Sequence, residues 1–270
     1  MALRLELKTQ SSVPVEVEGI TPDVVRDKSL DEIRRLEIFH GNVRLPLTEF
    51  FDVSGDPADG CMQWQGDLSG VHWIGTGMSQ GRIDVHGNAG RHVGSEMSGG
   101  EINVDGDVGD WVGGEMHGGS IRVGGNAGHL VGAAYRGSMR GMTGGTILIH
   151  GQAGNEIGHS MRRGLIAVGC AGDLVGFNML AGTVLILGTS GIRHGAGMRR
   201  GTLVFLGDQL PSLLSTFRFA CRHRPLAITM LLRHLQQGGF PISGDMLQVD
   251  FDVYNGDFIE SGRGEVLLRA

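Results

Sequence analysis

The side chains here that could do chemistry are histidine, cysteine and arginine, and only the arginines form a pattern. His72, His86, His92, His117, His129, His150, His159 and His194 are scattered with no HxH or HxxxH spacing. They read as surface or hydrogen-bonded corner residues, and no metal ligands are expected. Cys61, Cys170 and Cys221 form no CxxC, which fits reduced thiols and supplies no zinc or iron–sulfur motif. No GxSxG elbow is present. Gly75-Thr76-Gly77 and Gly195-Ala196-Gly197 fall inside a longer repeat without the strand–loop–helix unit that dinucleotide binding needs. Neither Lys8 nor Lys28 follows a glycine-rich phosphate loop, and no aspartate column suits a calcium β-roll. The chain is therefore expected to carry no catalytic residue of its own.

The arginines are different. Glu96 and Glu115 stand just before a recurring methionine in early repeats, whereas Arg162-Arg163 and Arg199-Arg200 follow it in later ones. Arg140 joins them from a seven-residue insertion between Gly132 and Met142, which also holds Tyr135 and Arg136. Insertions in repeat proteins emerge as loops on one face, often the binding face. Tyr135, Arg136, Arg140, Arg162, Arg163, Arg199 and Arg200 are thus the candidate binding residues, suited to an anionic chain or carboxylate-rich ligand. A solvated face or a salt-bridged subunit interface remains the alternative, because arginines about 10 Å apart lie near one Debye length and repel only modestly.

These residues are held by a repeat. Units begin at Gly81, Gly100, Gly119, Gly145, Gly164, Gly182 and Gly201, at intervals of 19, 19, 26, 19, 18 and 19 residues. Each opens with an alternating apolar pair, from Ile83/Val85 to Leu203/Phe205, and glycine columns follow it. A methionine stands three residues before each unit: Met78, Met97, Met116, Met142, Met161, Met179 and Met198. Period-2 apolar pairs bounded by glycine predict short strands with one face inward. A helical solenoid would need longer, glycine-poor units. A 19-residue unit suits one coil of a parallel β-helix, each coil about 4.8 Å above the last. Val93, Val112, Val131, Ile157, Val175 and the methionines complete the inward columns, and a less regular coil is expected across Cys61 to Met78.

Three regions follow: an N-terminal α/β cap over 1–60, Gly-rich β-helix repeats over 61–208, and a C-terminal helix and strand tail over 209–270. The cap is expected to hold strands through Leu3/Leu5/Leu7 and Val13/Val15/Val17 and a short helix from Ser29. The tail is expected to hold a helix from Pro225 to Gln237 with Leu226, Leu231, Leu232 and Leu235 inward. An alternating strand through Leu247, Val249, Phe251 and Val253, an Asn255-Gly256 turn and a last strand near Val266 to Leu268 complete it.

Composition sets outer limits. Glycine is 48 of 270 residues without a collagen period, and a net charge of −6 argues against nucleic-acid binding. No apolar run approaches the ~18 residues of a membrane span, and the first ten residues lack the basic and apolar regions of a secretion signal. A cytoplasmic location is the expectation.

The stretch from Gly99 through Met116 resembles the Gly-rich β-helix that closes the large subunit of glutamate synthase. Four further stretches are similar to the C subunit of formylmethanofuran dehydrogenase. They are Arg140-Gly141-Met142-Thr143-Gly144-Gly145-Thr146-Ile147, Leu47 to Phe51 leading into Val53-Ser54-Gly55-Asp56, Tyr254-Asn255-Gly256-Asp257, and Gly262-Arg263-Gly264-Glu265. The resemblance implies a right-handed single-stranded parallel β-helix and a scaffold role. It implies one of two homes: the molybdenum or tungsten formylmethanofuran dehydrogenase of methanogens, or a formyltransferase/hydrolase complex of methylotroph formaldehyde oxidation. In the second, formyl passes from tetrahydromethanopterin to a methanofuran-type carrier with a polyglutamate arm and leaves as formate. The partners would be an amidohydrolase-like hydrolase subunit holding zinc, a formyltransferase subunit and a dehydrogenase-B-like subunit. An Arg-rich, Lys-poor composition favours the bacterial home. A stand-alone interaction module like the glutamate synthase β-helix is the third reading.

Overall fold

The computed structural model describes residues 2–270. In chain order it has β1 (Leu3–Leu7), β2 (Val15–Glu16), α1 (Pro22–Val25), α2 (Leu30–Arg34), β3 (Glu37–His40), β4 (Val43–Pro46), β5 (Phe51–Ser54), β6 (Cys61–Gln65) and β7 (Val71–His72). The repeat supplies β8 (Arg82–His86), β9 (Glu101–Val104), β10 (Ser120–Val123), β11 (Thr146–Ala153), β12 (Leu165–Ala171), β13 (Thr183–Ile186) and β14 (Arg200–Phe205). β15 (Arg218–His223), α3 (Leu226–Gln237), β16 (Phe251–Gly256) and β17 (Arg263–Arg269) follow.

The chain is mainly β, with one large, mostly parallel sheet of thirteen strands ordered β15-β16-β17-β14-β13-β12-β11-β10-β9-β8-β6-β1-β5. From β8 to β14 each strand pairs parallel with the next so that Ile83, Ile102, Ile121, Ile147, Ile166, Val184 and Leu203 align. β6 joins the series in parallel with Met62 beside Ile83 and Trp64 beside Val85. Both residues of every pair and all seven methionines are buried. Between strands, the turns stack by backbone bonds at the same period: Gly113 N–H donates to Val93 O and His117 N–H to Met97 O, each at 2.8 Å.

The glycine columns have two causes. Gly113 sits at φ +60°, where a Cβ would also overlap Ile147 Cδ1. Gly109 has no positive φ; its space is limited by Arg91 N and Gly90 C, each 3.0 Å from where a Cβ would stand. Positive φ is not confined to glycine. Trp73, His92, Trp111, Leu130, Glu156, Leu174 and Arg193 form a left-handed column of their own. Two side-chain ladders then meet backbone donors at the corners. Asp107 N–H donates to Asn88 Oδ1 at 2.9 Å and Asn126 N–H to Asp107 Oδ1 at 2.7 Å. Along the other, His129 N–H donates to Asp110 Oδ1, Asn155 N–H to His129 Nδ1 and Asp173 N–H to Asn155 Oδ1, at 2.8–2.9 Å.

The strands do not all present one face inward only. On β11–β14 the intervening residues Leu148, Ala167, Leu185 and Val204 are buried as well, in a second core with Ile228, Leu232 and Leu235 of α3 and Phe240 and Phe251. Consecutive apolar residues on those strands answer to two cores, one on each side of the sheet.

The terminal regions depart from expectation in detail. β2 is only Val15–Glu16, and Val13 is exposed. The helix after Ser29 forms, with Ser29 and Glu32 making a reciprocal capping box. In α3, Pro225 is the N-cap, Leu226 is 72% exposed and Ile228 takes the buried place, because Ile228, Leu232 and Leu235 fall on one face at i, i+4 and i+7 while Leu226 lies about half a turn away from Leu235. Leu247 lies in a 3-10 turn (Met246–Gln248) and Val249 in irregular chain, so the strand begins at Phe251. Asn255 and Gly256 belong to β16, paired with Glu265 and Gly264; the reversal is made by residues 257–262. β15 is an edge strand that the repeat does not foretell.

Candidate functional site

The insertion after Gly132 is anchored at both ends. Ala134 N–H donates to His159 O, Gly141 N–H to Ser160 O and Met142 N–H to Gly132 O. Tyr135 N–H donates to Glu115 Oε1 at 2.9 Å. That bond lays the Tyr135 ring across an aromatic stack built at the left-handed corner: Trp73 on His92 with centroids 3.8 Å apart, then Trp111 at 5.9 Å from His92. Tyr135 packs 5.2 Å from Trp111 and 5.7 Å from His92, and its hydroxyl lies 3.3 Å from His92 Nδ1. Burial pushes the pKa of the Tyr135 hydroxyl up to about 12, with Glu96, Glu115 and Glu18 adding to it. Burial likewise pushes His92 down to about 4, helped by His72 and Arg91, so it is neutral near pH 7.

The loop tip, Arg136 to Arg140, is exposed and separates two clefts. One, about 310 Å³, is lined by Trp111, Tyr135, Arg136 and the Glu156–His159 pair, whose Oε2 and Nδ1 are 3.1 Å apart. The other, about 450 Å³, is lined by Arg140, Asn178, Arg199 and Glu260. The candidate residues therefore divide. Tyr135 and Arg136 share the first cleft, and Arg140 and Arg199 share the second. Arg162, Arg163 and Arg200 are exposed and line neither.

Of these arginines only Arg199 has an ionic partner among the described residues, Glu260 at 3.2 Å. Sequence reasoning missed two members of this region. Glu260 comes from the β16–β17 connection, whose position the repeat does not encode. Arg263 on β17 lies directly opposite Arg200 on β14, a like-charge cross-strand pair that costs stability unless an anion sits near it. The Trp73–His92–Trp111 stack was legible as residues 19 apart, but nothing in the repeat marks its column as one that binds.

His194 stands in the inward column held elsewhere by Val93, Val112, Val131, Ile157 and Val175. It is fully buried, bonded to Val175 N–H at 3.3 Å and Gly191 O at 2.9 Å, and burial lowers its pKa. Among the described residues no group of three or more His, Cys, Asp and Glu side chains could hold a metal ion, and no helix is long and apolar enough to cross a membrane.

A family model, the GXGXG motif, matches residues 67–218. The C subunit of molybdenum-containing formylmethanofuran dehydrogenase 1 of Methanothermobacter thermautotrophicus is 44% identical over 91 residues, 33% of this chain and 23% of that protein. The C subunit of tungsten-containing formylmethanofuran dehydrogenase 2 of the same organism is 43% identical over 90 residues, 32% of this chain and 33% of that protein. The matches thus span about a quarter to a third of these curated relatives. A chain in the crystal structure of the formyltransferase/hydrolase complex (FhcABCD) from Methylorubrum extorquens, in complex with methylofuran, superposes with a TM-score of 0.90 at 30% identity, covering 99% of both chains. The repeat, the terminal regions and these matches agree: the chain belongs to the GXGXG-motif family and, within it, to the family of formylmethanofuran dehydrogenase C subunits.

Proposed function

We propose that this chain is a non-catalytic scaffold subunit of a formyltransferase/hydrolase complex that moves a formyl group from tetrahydromethanopterin, by way of a methanofuran-type carrier, to formate. The observation that carries the reading is the match over 99% of both chains to a component of the FhcABCD complex. The proposed scaffold is a right-handed single-stranded parallel β-helix, divided as 1–60, 61–208 and 209–270. It is cytoplasmic and binds no cofactor itself. A zinc-holding hydrolase subunit, a formyltransferase subunit and a dehydrogenase-B-like subunit are the proposed partners.

Arg136, Arg140, Arg162, Arg163, Arg199 and Arg200, with Tyr135, would guide the anionic carrier or seat a partner. The exposed guanidinium groups and the Arg200–Arg263 pairing support this. Affinity purification of the tagged chain with mass spectrometry tests the assembly: recovery of the three partner types is expected, and a lone monomer would favour a stand-alone module. Replacing Arg162, Arg163, Arg199 and Arg200 by Ala should slow formyl turnover while the complex stays assembled. Unchanged kinetics at limiting carrier would remove the guiding role.

The local identity of 44% to an archaeal relative favours a second reading, the C subunit of a molybdenum or tungsten formylmethanofuran dehydrogenase. Viologen-coupled oxidation of the formyl carrier by the purified complex would establish it.

A further inference from the structure

The thirteen-stranded sheet has two edges, and they are finished differently. At the β5 edge, Arg34 Nη2 donates to Val53 O at 3.0 Å, and α2 packs against the strand. At the other edge, all six residues of β15 are exposed. Its single neighbour is β16, and no described side chain bonds to its backbone. An open strand of this length presents a row of unpaired N–H and C=O groups able to take another strand. Phe219 on it is 57% exposed.

Its charges select the occupant. Arg222 is matched by Asp252 at 2.6 Å, and Arg224, just beyond the strand, by Asp250 at 3.1 Å. Arg218 has no ionic partner among the described residues. Two copies of β15 would oppose one another badly. Antiparallel pairing about Ala220 sets Arg218 opposite Arg222, and parallel pairing in register sets each arginine beside itself; like charges directly opposite are destabilising. The unmatched Arg218 favours a strand bearing carboxylates. The edge is thus set against its own copies and left open to a different chain.

We infer that β15 is a docking edge, which takes an extended segment of a partner subunit, apolar and acidic in alternation, as a fourteenth strand of the sheet. The inference rests on the chain working in a hetero-assembly. The test is amide hydrogen exchange, followed by mass spectrometry, on the tagged chain purified from its host with whatever co-purifies, compared with the chain expressed alone. The 218–223 amides should exchange at least tenfold more slowly in the assembly. Arg218→Glu should weaken partner retention while leaving the thermal unfolding of the isolated chain unchanged. Partners recovered without slowing at 218–223 would overturn the docking edge and leave the scaffold role intact. Slowing that appears in the isolated chain as its concentration rises would assign the edge to a second copy and overturn the inference. A chain recovered alone would sink both, and co-purification reports that outcome separately.

Discussion

Strands β8–β10 and β11–β14 share one core and differ on their outer face. Asp84, Asn103 and Arg122 point outward from the first set, and Asn103 Nδ2 donates to Asp84 Oδ1 at 3.0 Å. Leu148, Ala167, Leu185 and Val204 occupy the same places on the second and are buried beneath α3. The inward columns build the stack, while the outward column decides which part of it receives the C-terminal region. A repeat can thus vary its exterior without disturbing its interior, since alternate residues on a strand face opposite sides.

The largest test of that contrast is Leu185→Ala. Removing a fully buried leucine from the second core should cost about 2–5 kcal/mol in urea unfolding; a cost no greater than that of Asn103→Ala would dissolve the distinction. Gly113→Ala probes the core both regions share. It places a Cβ at φ +60° against Ile147 and should cost about 1–2 kcal/mol from the left-handed backbone, read as a lower urea midpoint. Arg122 marks the boundary, its guanidinium donating to Gly238 O at 2.6 Å beyond the end of α3. Arg122→Ala should cost about 1 kcal/mol and speed hydrogen exchange in α3, with β8 and β9 unaffected.

A smaller effect is expected with pH in the outward-polar region. His92 is held at about 4 against an ordinary 6.5, by burial first and by His72 and Arg91 next, with Asp110 opposing. The unfolded chain therefore binds the proton more readily, so His92 lowers stability as pH falls from about 6.5 to about 4 and adds no further loss below that. His92→Phe should flatten this part of a melting-temperature profile and keep the stack on Trp73; an unaltered slope would assign the dependence elsewhere. Asn103→Ala, on the half-buried outer face, should change stability by about 0.5 kcal/mol or less.

Much of the core was legible because its cause is local and repeated. Ile102/Val104, Met97 and Gly100 recur every coil, and each repeat meets the same neighbours above and below. The second core also leaves a mark in the sequence: Ile147-Leu148-Ile149 and Val184-Leu185-Ile186 are unbroken apolar runs, which belong to a strand buried on both faces. The alternating-pair reading passes over them. α3 was legible as a helix, yet its inward face includes Ile228 and not Leu226, because Ile228, Leu232 and Leu235 share the i, i+4, i+7 face and Leu226 lies on the far side with Met230. Of the candidate site, the insertion and the arginines were legible as breaks in register. Their division between two clefts was not, since the loop's path depends on Glu115, His159 and Ser160, which lie outside it.

By itself the sequence determined the repeat: its period, its buried residues, the glycine corners and the methionine column, all of which follow from steric and burial rules acting on neighbours one period apart. Only the tertiary structure decided what meets across unrelated segments. Tyr135 lies on His92, Arg263 faces Arg200, α3 covers β11–β14 and β15 is left as the open edge. Those contacts depend on where the two irregular ends and the one insertion fold back, and no periodic constraint acts on them.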